Sequence, residues 1–321
     1  LYDFFLVLDF IDNFTIMFIV QYRKFFFALS IVFVTVSLWA GLSLSPRFAT
    51  DFTGGSILEV SYIDTRPSLD EARNLLSSLD LGAYSIRPSG EQGFVMRTRE
   101  ISLEEKNTIV NLLSSENPQS LREERFNSVG PIVGESLKQK SYYALAVVIL
   151  CIVLFITFAF RRVSKPVASW KYGFATIVSL VHDVVAATGA FIIYGYFTGA
   201  EIDILFVTAL LAILGYSVHD TIVVFDRVRE HLGRNQEKEI QEDFEKTVGD
   251  SLRETFTRSI NTSLTMFIVL LVLYMIGSEA TRHFSFILLI GVVIGTYSSL
   301  FLGTPLLVTL AKFQSKIKSA N

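Results

Sequence analysis

The chain has 321 residues, 51% of them hydrophobic and 18% charged, with a net charge of −3 and a mean hydropathy of +0.47. Soluble domains run near about 25% charged, and here the apolar residues fall in long runs, which excludes the two soluble domains that the length alone would allow. The small net charge says little about partners, and no nucleic-acid partner is expected; the lone Cys151, set in an apolar run, excludes a disulfide framework and a cysteine metal site.

Residues 1–23 are apolar but carry Asp3, Asp9 and Asp12, with no cation before Arg23. That charge is wrong for a signal peptide, so an interfacial or re-entrant segment is expected, with a trimmed start because the chain opens on Leu1. Apolar runs long enough to cross about 30 Å of hydrocarbon as a helix occur at 24–44, 141–160, 172–194, 204–225, 259–277 and 284–311. The last holds Gly291, Gly295 and Gly303, which spanning helices tolerate. Cys151 is expected to face lipid or fill packing.

Residues 46–140 read as a soluble α+β domain. Asp51–Tyr62 predicts a turn and a strand with Ile57, Val60 and Tyr62 alternating inward. Ser68 with Glu71, and Ser102 with Glu105, are capping boxes that open two helices. Two short strands are expected around Pro88-Ser89-Gly90 and a last one at Arg122–Val129. Strand, helix, two strands, helix, strand is the order of a ferredoxin-like fold. The expected architecture is a membrane all-α six-helix bundle with a small α+β domain.

Orientation follows the positive-inside rule. The 161–171 loop carries Arg161, Arg162, Lys165 and Lys171, while the 195–203 loop carries only Glu201 and Asp203. The former is then cytoplasmic, as are segment 227–257, the end of span 6 at 312 and the tail 313–321, and the α+β domain is extracytoplasmic.

Ionisable groups at membrane depth cost about 2.5 kcal/mol or more and are functional candidates by default. Here they are His182-Asp183 in span 3, His219-Asp220 in span 4 and Arg258 at the head of span 5. Helical spacing puts Arg258, Asn261, Thr262 and Thr265 on one stripe, Tyr216, Asp220 and Arg227 on another, and Thr176, Ser179, Asp183, Ala187 and Ala190 on a third. Three such stripes facing one another would form a polar seam in which Asp220 meets Arg258. Burial and a nearby arginine act in opposition on a carboxyl's proton affinity, so the pair suits a proton switch, and it suits a static clip between helices equally well. Asp183 would extend the relay, with His182 and His219 as weaker candidates. Asp226 sits at the membrane edge as a solvated end residue or an arginine partner. Gly54 and Gly55, after Asp51, permit backbone angles closed to other residues and are expected to set the angle of the domain. No P-loop, GxSxG or HExxH is present, so no enzyme, metal or cofactor is expected.

DFTGG at Asp51–Gly55, VGPIVG at Val129–Gly134, HDTIVVFDRVRE at His219–Glu230 and RSINTS at Arg258–Ser263 resemble the signature set of SecF members of the SecD/SecF family, relatives of the resistance-nodulation-division transporters. The resemblance covers about residues 24–312. It implies a bacterial inner-membrane subunit that works with a SecD-like partner at the SecYEG channel. Such a subunit would use the proton-motive force to draw unfolded preprotein outward, with Asp220 and Arg258 as the functional pair. The family's usual residue before the span-4 aspartate is Asn, and here it is His219. The alternatives are a transporter half for small molecules or ions, which would call for about twelve spans in one chain, and a membrane sensor or scaffold, which would call for a larger cytoplasmic module.

Overall fold

The computed structural model describes residues 18–82, 84–114, 120–161 and 167–320, with no side-chain description for 279 and 314–320. The chain divides into two compact units. One takes Leu1–Pro46, Ala144–Ala200 and Leu205–Asn321, and the other takes Arg47–Tyr143 with Glu201–Ile204.

In the second unit a short helix α2 (Thr50–Thr53) leads into β1 (Gly55–Tyr62). It continues through α3 (Leu69–Leu76), β2 (Ser85–Ser89), β3 (Gly93–Thr98), α4 (Leu103–Leu113) and β4 (Leu121–Val129). The four strands form one antiparallel sheet in the order β2-β3-β1-β4. Both capping boxes form, Ser68 with Glu71 and Ser102 with Glu105, each satisfying two orphan amides of a helix start. One face of the sheet carries Leu58, Val60, Tyr62, Phe94 and Met96 against Ala72, Leu76, Ile109 and Leu113 of α3 and α4. Side chains of a strand alternate with period two, and the register puts Leu58, not Ile57, in the core with Val60 and Tyr62. The expected inward position of Ile57 is corrected, because Ile57 and Val60 are three residues apart and belong to opposite faces. Tyr62 reaches the core end, where its hydroxyl donates to Leu113 O at 3.0 Å. Burial pushes its pKa up to about 12.

Among the described residues, six helices are long and apolar enough to cross a membrane. They are α1 (Arg23–Ser43), α5 (Pro131–Ala159), α6 (Trp170–Thr198), α7 (Ile204–Glu237), α8 (Phe244–Ile276) and the segment Ala280–Phe313. The last is α9 (Glu279–Tyr297) continued by a π-helical turn, Ser298–Gly303, into α10 (Thr304–Ala320). The helices outrun the apolar windows. Span 2 starts at Pro131, where proline suits the first helical position. The expected cytoplasmic segment 227–257 is largely a continuation of α7 and α8, since only 238–243 lie outside helix. Hydropathy drops there, but pairs such as Arg229–Asp226 (2.7 Å) and Arg227–Glu230 support the exposed helix.

The apolar windows of α6, α7 and the last span are 50%, 44% and 61% buried, against 17%, 6% and 17% for α1, α5 and α8, so the first three form the centre of the bundle. Toward one end, Tyr172 stacks on Phe160 with Phe225 edge-on, in a core that includes Ile19, Val20, Val248 and Leu307. Cys151 is exposed on α5. The expected N-terminal segment lies mostly outside the described residues, as do Arg162 and Lys165.

Candidate functional site

The inward stripe on α6 holds as expected. Thr176, Ser179, Asp183 and Ala187 are buried and Ala190 is half-buried. Small residues bring neighbouring helices close. Gly189 receives Ser37 of α1, and a Cβ at Gly295 would lie 3.1 Å from Ser217 of α7, or at Gly303 2.6 Å from Ser179. The glycines of the last span are therefore contact points for α6 and α7.

Asp183 is fully buried where these helices meet. Its Oδ2 accepts the hydroxyls of Ser217 and of Ser298 (2.8 Å), and its Oδ1 lies 3.1 Å from Nδ1 of His182. Ser298 Oγ is also 3.1 Å from Gly295 O, and with one proton it can serve only one acceptor at a time. Behind it, Ser299 donates to Ser217 O at 3.0 Å and sits 2.9 Å from the Thr221 hydroxyl. These two serines open the π-helical turn, a feature frequent at functional sites. The wider turn also needs repair, and Thr304 Oγ1 donates to Ser299 O at 2.8 Å. His182 is buried with Nε2 unpartnered among the described residues, as is the Oγ of Ser179.

Asp220 is 3% exposed on α7, and its Oδ2 has no hydrogen-bond partner among the described residues. One turn away, Tyr216 donates to Ser263 of α8 at 2.8 Å, and Ser263 lies 2.6 Å from the Thr296 hydroxyl of α9. Arg227, the third member of that stripe, pairs with Glu230 and Glu254 near the far end of α7. Asp226 pairs with Arg229.

The span-5 stripe does not face the seam. Arg258, Asn261, Thr262 and Thr265 are exposed, and the inward positions of α8 are Ser259 and Ser263. One residue is about 100° around a helix, which is enough to move the face. Thr262 and Thr265 hydroxyls return to their own helix, on Arg258 O at 2.9 Å and Asn261 O at 2.8 Å. Among the described residues the Arg258 guanidinium makes no hydrogen bond or salt bridge, so it does not clip onto Asp220, although its charge still acts on that carboxyl. His219 is likewise exposed. The third wall of the seam comes from the last span, through Thr296, Ser298 and Ser299, which the sequence reading missed. Their signal was the Thr-Tyr-Ser-Ser run between Gly295 and Gly303. No three of His, Cys, Asp and Glu gather as around a metal ion among the described residues.

The DFTGG motif packs against VGPIVG. Gly54 has φ +75°, and a Cβ there would lie 2.6 Å from Pro131 Cα. One at Gly134 would lie 2.9 Å from Gly54 N. Gly55 lies as close to Thr98 O of β3, a Cβ there coming within 2.7 Å. The glycines permit backbone-to-backbone contact, and Asp51 accepts from Asn127 Nδ2 at 3.3 Å and from the Ile204 amide at 3.2 Å.

Residues 109–313 match the family profile described as protein export membrane protein SecD/SecF, C-terminal. A protein translocase subunit SecF from Thermobaculum terrenum is 39% identical over 303 residues, covering 91% of this chain and 93% of that protein. A SecDF from Bacillus subtilis is 32% identical over 87% of this chain but only 36% of its own length. The crystal structure of SecDF from Thermus thermophilus superposes with a TM-score of 0.72 at 26% identity, over 92% of this chain and 38% of that one. This chain thus spans little more than a third of the SecDF chains and nearly the whole of the SecF relative. The six apolar helices, the inward carboxylates and these matches make it a multi-pass membrane protein that belongs to the SecD/SecF family.

Proposed function

We propose that the chain is the SecF-type subunit of a SecD–SecF complex, using the proton-motive force to assist unfolded preprotein through a SecYEG channel. Its α+β unit, whose strand order suits a ferredoxin-like fold, lies on the outer side of a bacterial cytoplasmic membrane. The loop charges support that orientation. The coupling ion is the proton, and neither a cofactor nor an enzymatic step is involved.

The observation that carries the reading is the pair of buried carboxyls at the bundle centre, Asp183 ringed by hydroxyls and Asp220 with an unpartnered oxygen. Hydroxyls set between two acceptors can turn as a carboxyl gains or loses a proton, changing which helices they tie. A SecD-like partner is supported by the length of the SecDF chains and by the exposed polar stripe of Arg258, Asn261, Thr262 and Thr265. An exposed arginine at membrane depth is costly, and a partner helix bearing a carboxylate would relieve that cost. The reading is tested by Asp220→Asn in membranes with an imposed proton gradient. Loss of gradient-dependent export, with insertion and partner binding retained, is expected, and export at the parent rate would overturn it.

A further inference from the structure

The proton reading leaves Asp51 without a task, yet this side chain joins three parts of its unit. One carboxylate oxygen holds Asn127 of β4, and the other holds the amide of Ile204, the first residue of α7. Backbone amides at a helix start have no partner within the helix, and an anion there also meets a favourable dipole. The four residues before α7's second are bound from other directions as well. Phe48 and Ile202 form a parallel bridge, with Ala49 N on Ile202 O at 2.9 Å and Ile202 N on Arg47 O at 2.8 Å. Glu201 pairs with Arg97 of β3. Strap 201–204 is thereby fastened to the connector after α1, to β3 and, through Asp51, to β4.

We propose that Asp51 is a positioning residue that ties the sheet to the head of α7, so that an axial shift of that helix is delivered to the sheet through the strap. The proposal rests on the proton reading, because the shift would arise at Asp220. From Ile204 to Asp220 is sixteen residues, about 24 Å of continuous helix at 1.5 Å per residue. A packed helix of this kind moves between discrete arrangements and carries its ends with it.

The experiment uses the full chain with its partner subunit, and reads gradient-dependent export beside amide exchange at 201–206 and in the sheet. Asp51→Ala is expected to lower export about fivefold or more and to raise exchange at 201–206 about tenfold, with the sheet still protected. Asp51→Asn, whose amide oxygen still accepts the Ile204 N–H, is expected to keep at least half of the export. A Phe48→Cys, Ile202→Cys disulfide added to Asp51→Ala is expected to restore export when oxidised and lose it again on reduction. Export by Asp51→Ala at the parent rate, equal damage from Asn and Ala, or no rescue by the disulfide would each overturn the proposal. Should the parent itself show no gradient-dependent export, the proton reading fails and the strap is judged by exchange alone. Asp220→Asn must then alter exchange in the sheet with Asp51 intact and leave it unaltered in Asp51→Ala, and any other result overturns the tie.

Discussion

A serine hydroxyl has one proton to give, and Ser298 stands between the Asp183 carboxylate and Gly295 O. A hydrogen bond to a charged acceptor is worth about 1.5–3 kcal/mol. Ser298→Ala is therefore expected to change the proton affinity of Asp183 by roughly ten- to a hundredfold, read from the carboxyl stretch in infrared difference spectra, with Ser298→Thr close to the parent. At Arg258, Lys is expected to restore export only in part relative to Ala, since an ammonium lacks the planar fork that grips a carboxylate at two points. Equal export by Arg258, Lys and Ala would remove this residue from the mechanism. The charged members of the site were legible because a carboxyl in an apolar run is conspicuous. Ser217, Ser259 and Ser298 were not, because serines in spanning helices usually bond their own backbone and give no sign of facing a neighbour.

Among the elements, the capping boxes at Ser68 and Ser102 were readable because their chemistry is local, whereas the inward face of β1 was misread by one residue at Ile57. Leu58→Ala is expected to destabilise the α+β unit by about 2–5 kcal/mol, measured as lost amide-exchange protection in β1 and β3, while Ile57→Ala changes it far less. Glu105 supplies a pH test. The Arg99 guanidinium hydrogen-bonded to it, with the Ser102 amide, lowers its pKa to about 2. A carboxyl held below its unfolded value stabilises the fold fully above that value, near about 4.3, and loses the contribution as pH falls through its folded value. Protection of α4 should therefore decline from roughly pH 4.5 toward 2, and Glu105→Gln should flatten that decline.

For the whole molecule, the count of six spans was legible because membrane crossing demands length and hydropathy, and both are written in sequence. Which helices lie inside was not, because the most apolar span, α5, is the least buried, and small residues at the crossings decide which helices pack inside. Three distant spans are tied at one end by Glu245, which holds Arg23 at 2.6 Å and also Lys312. Glu245→Gln leaves two cations without their counter-charge, and a loss of about 1 kcal/mol in detergent-solubilised stability is expected, the pair being partly screened by solvent.

The π-helical turn has one more consequence, a change of metre. Between Val293 and Val308 the positions that are not buried are Val293, Ile294, Tyr297, Phe301 and Leu306, spaced by four from Tyr297 to Phe301 and by five from Phe301 to Leu306. The step of five marks the added residue. Everything after it is out of phase by about 100° with the beat set upstream, so a face traced from Ser285 onward points the wrong way by Val308. Removing one residue between Ser298 and Gly303 would leave composition and hydropathy almost untouched. It would also turn Leu307 and Val308 away from the core they now share with Tyr172.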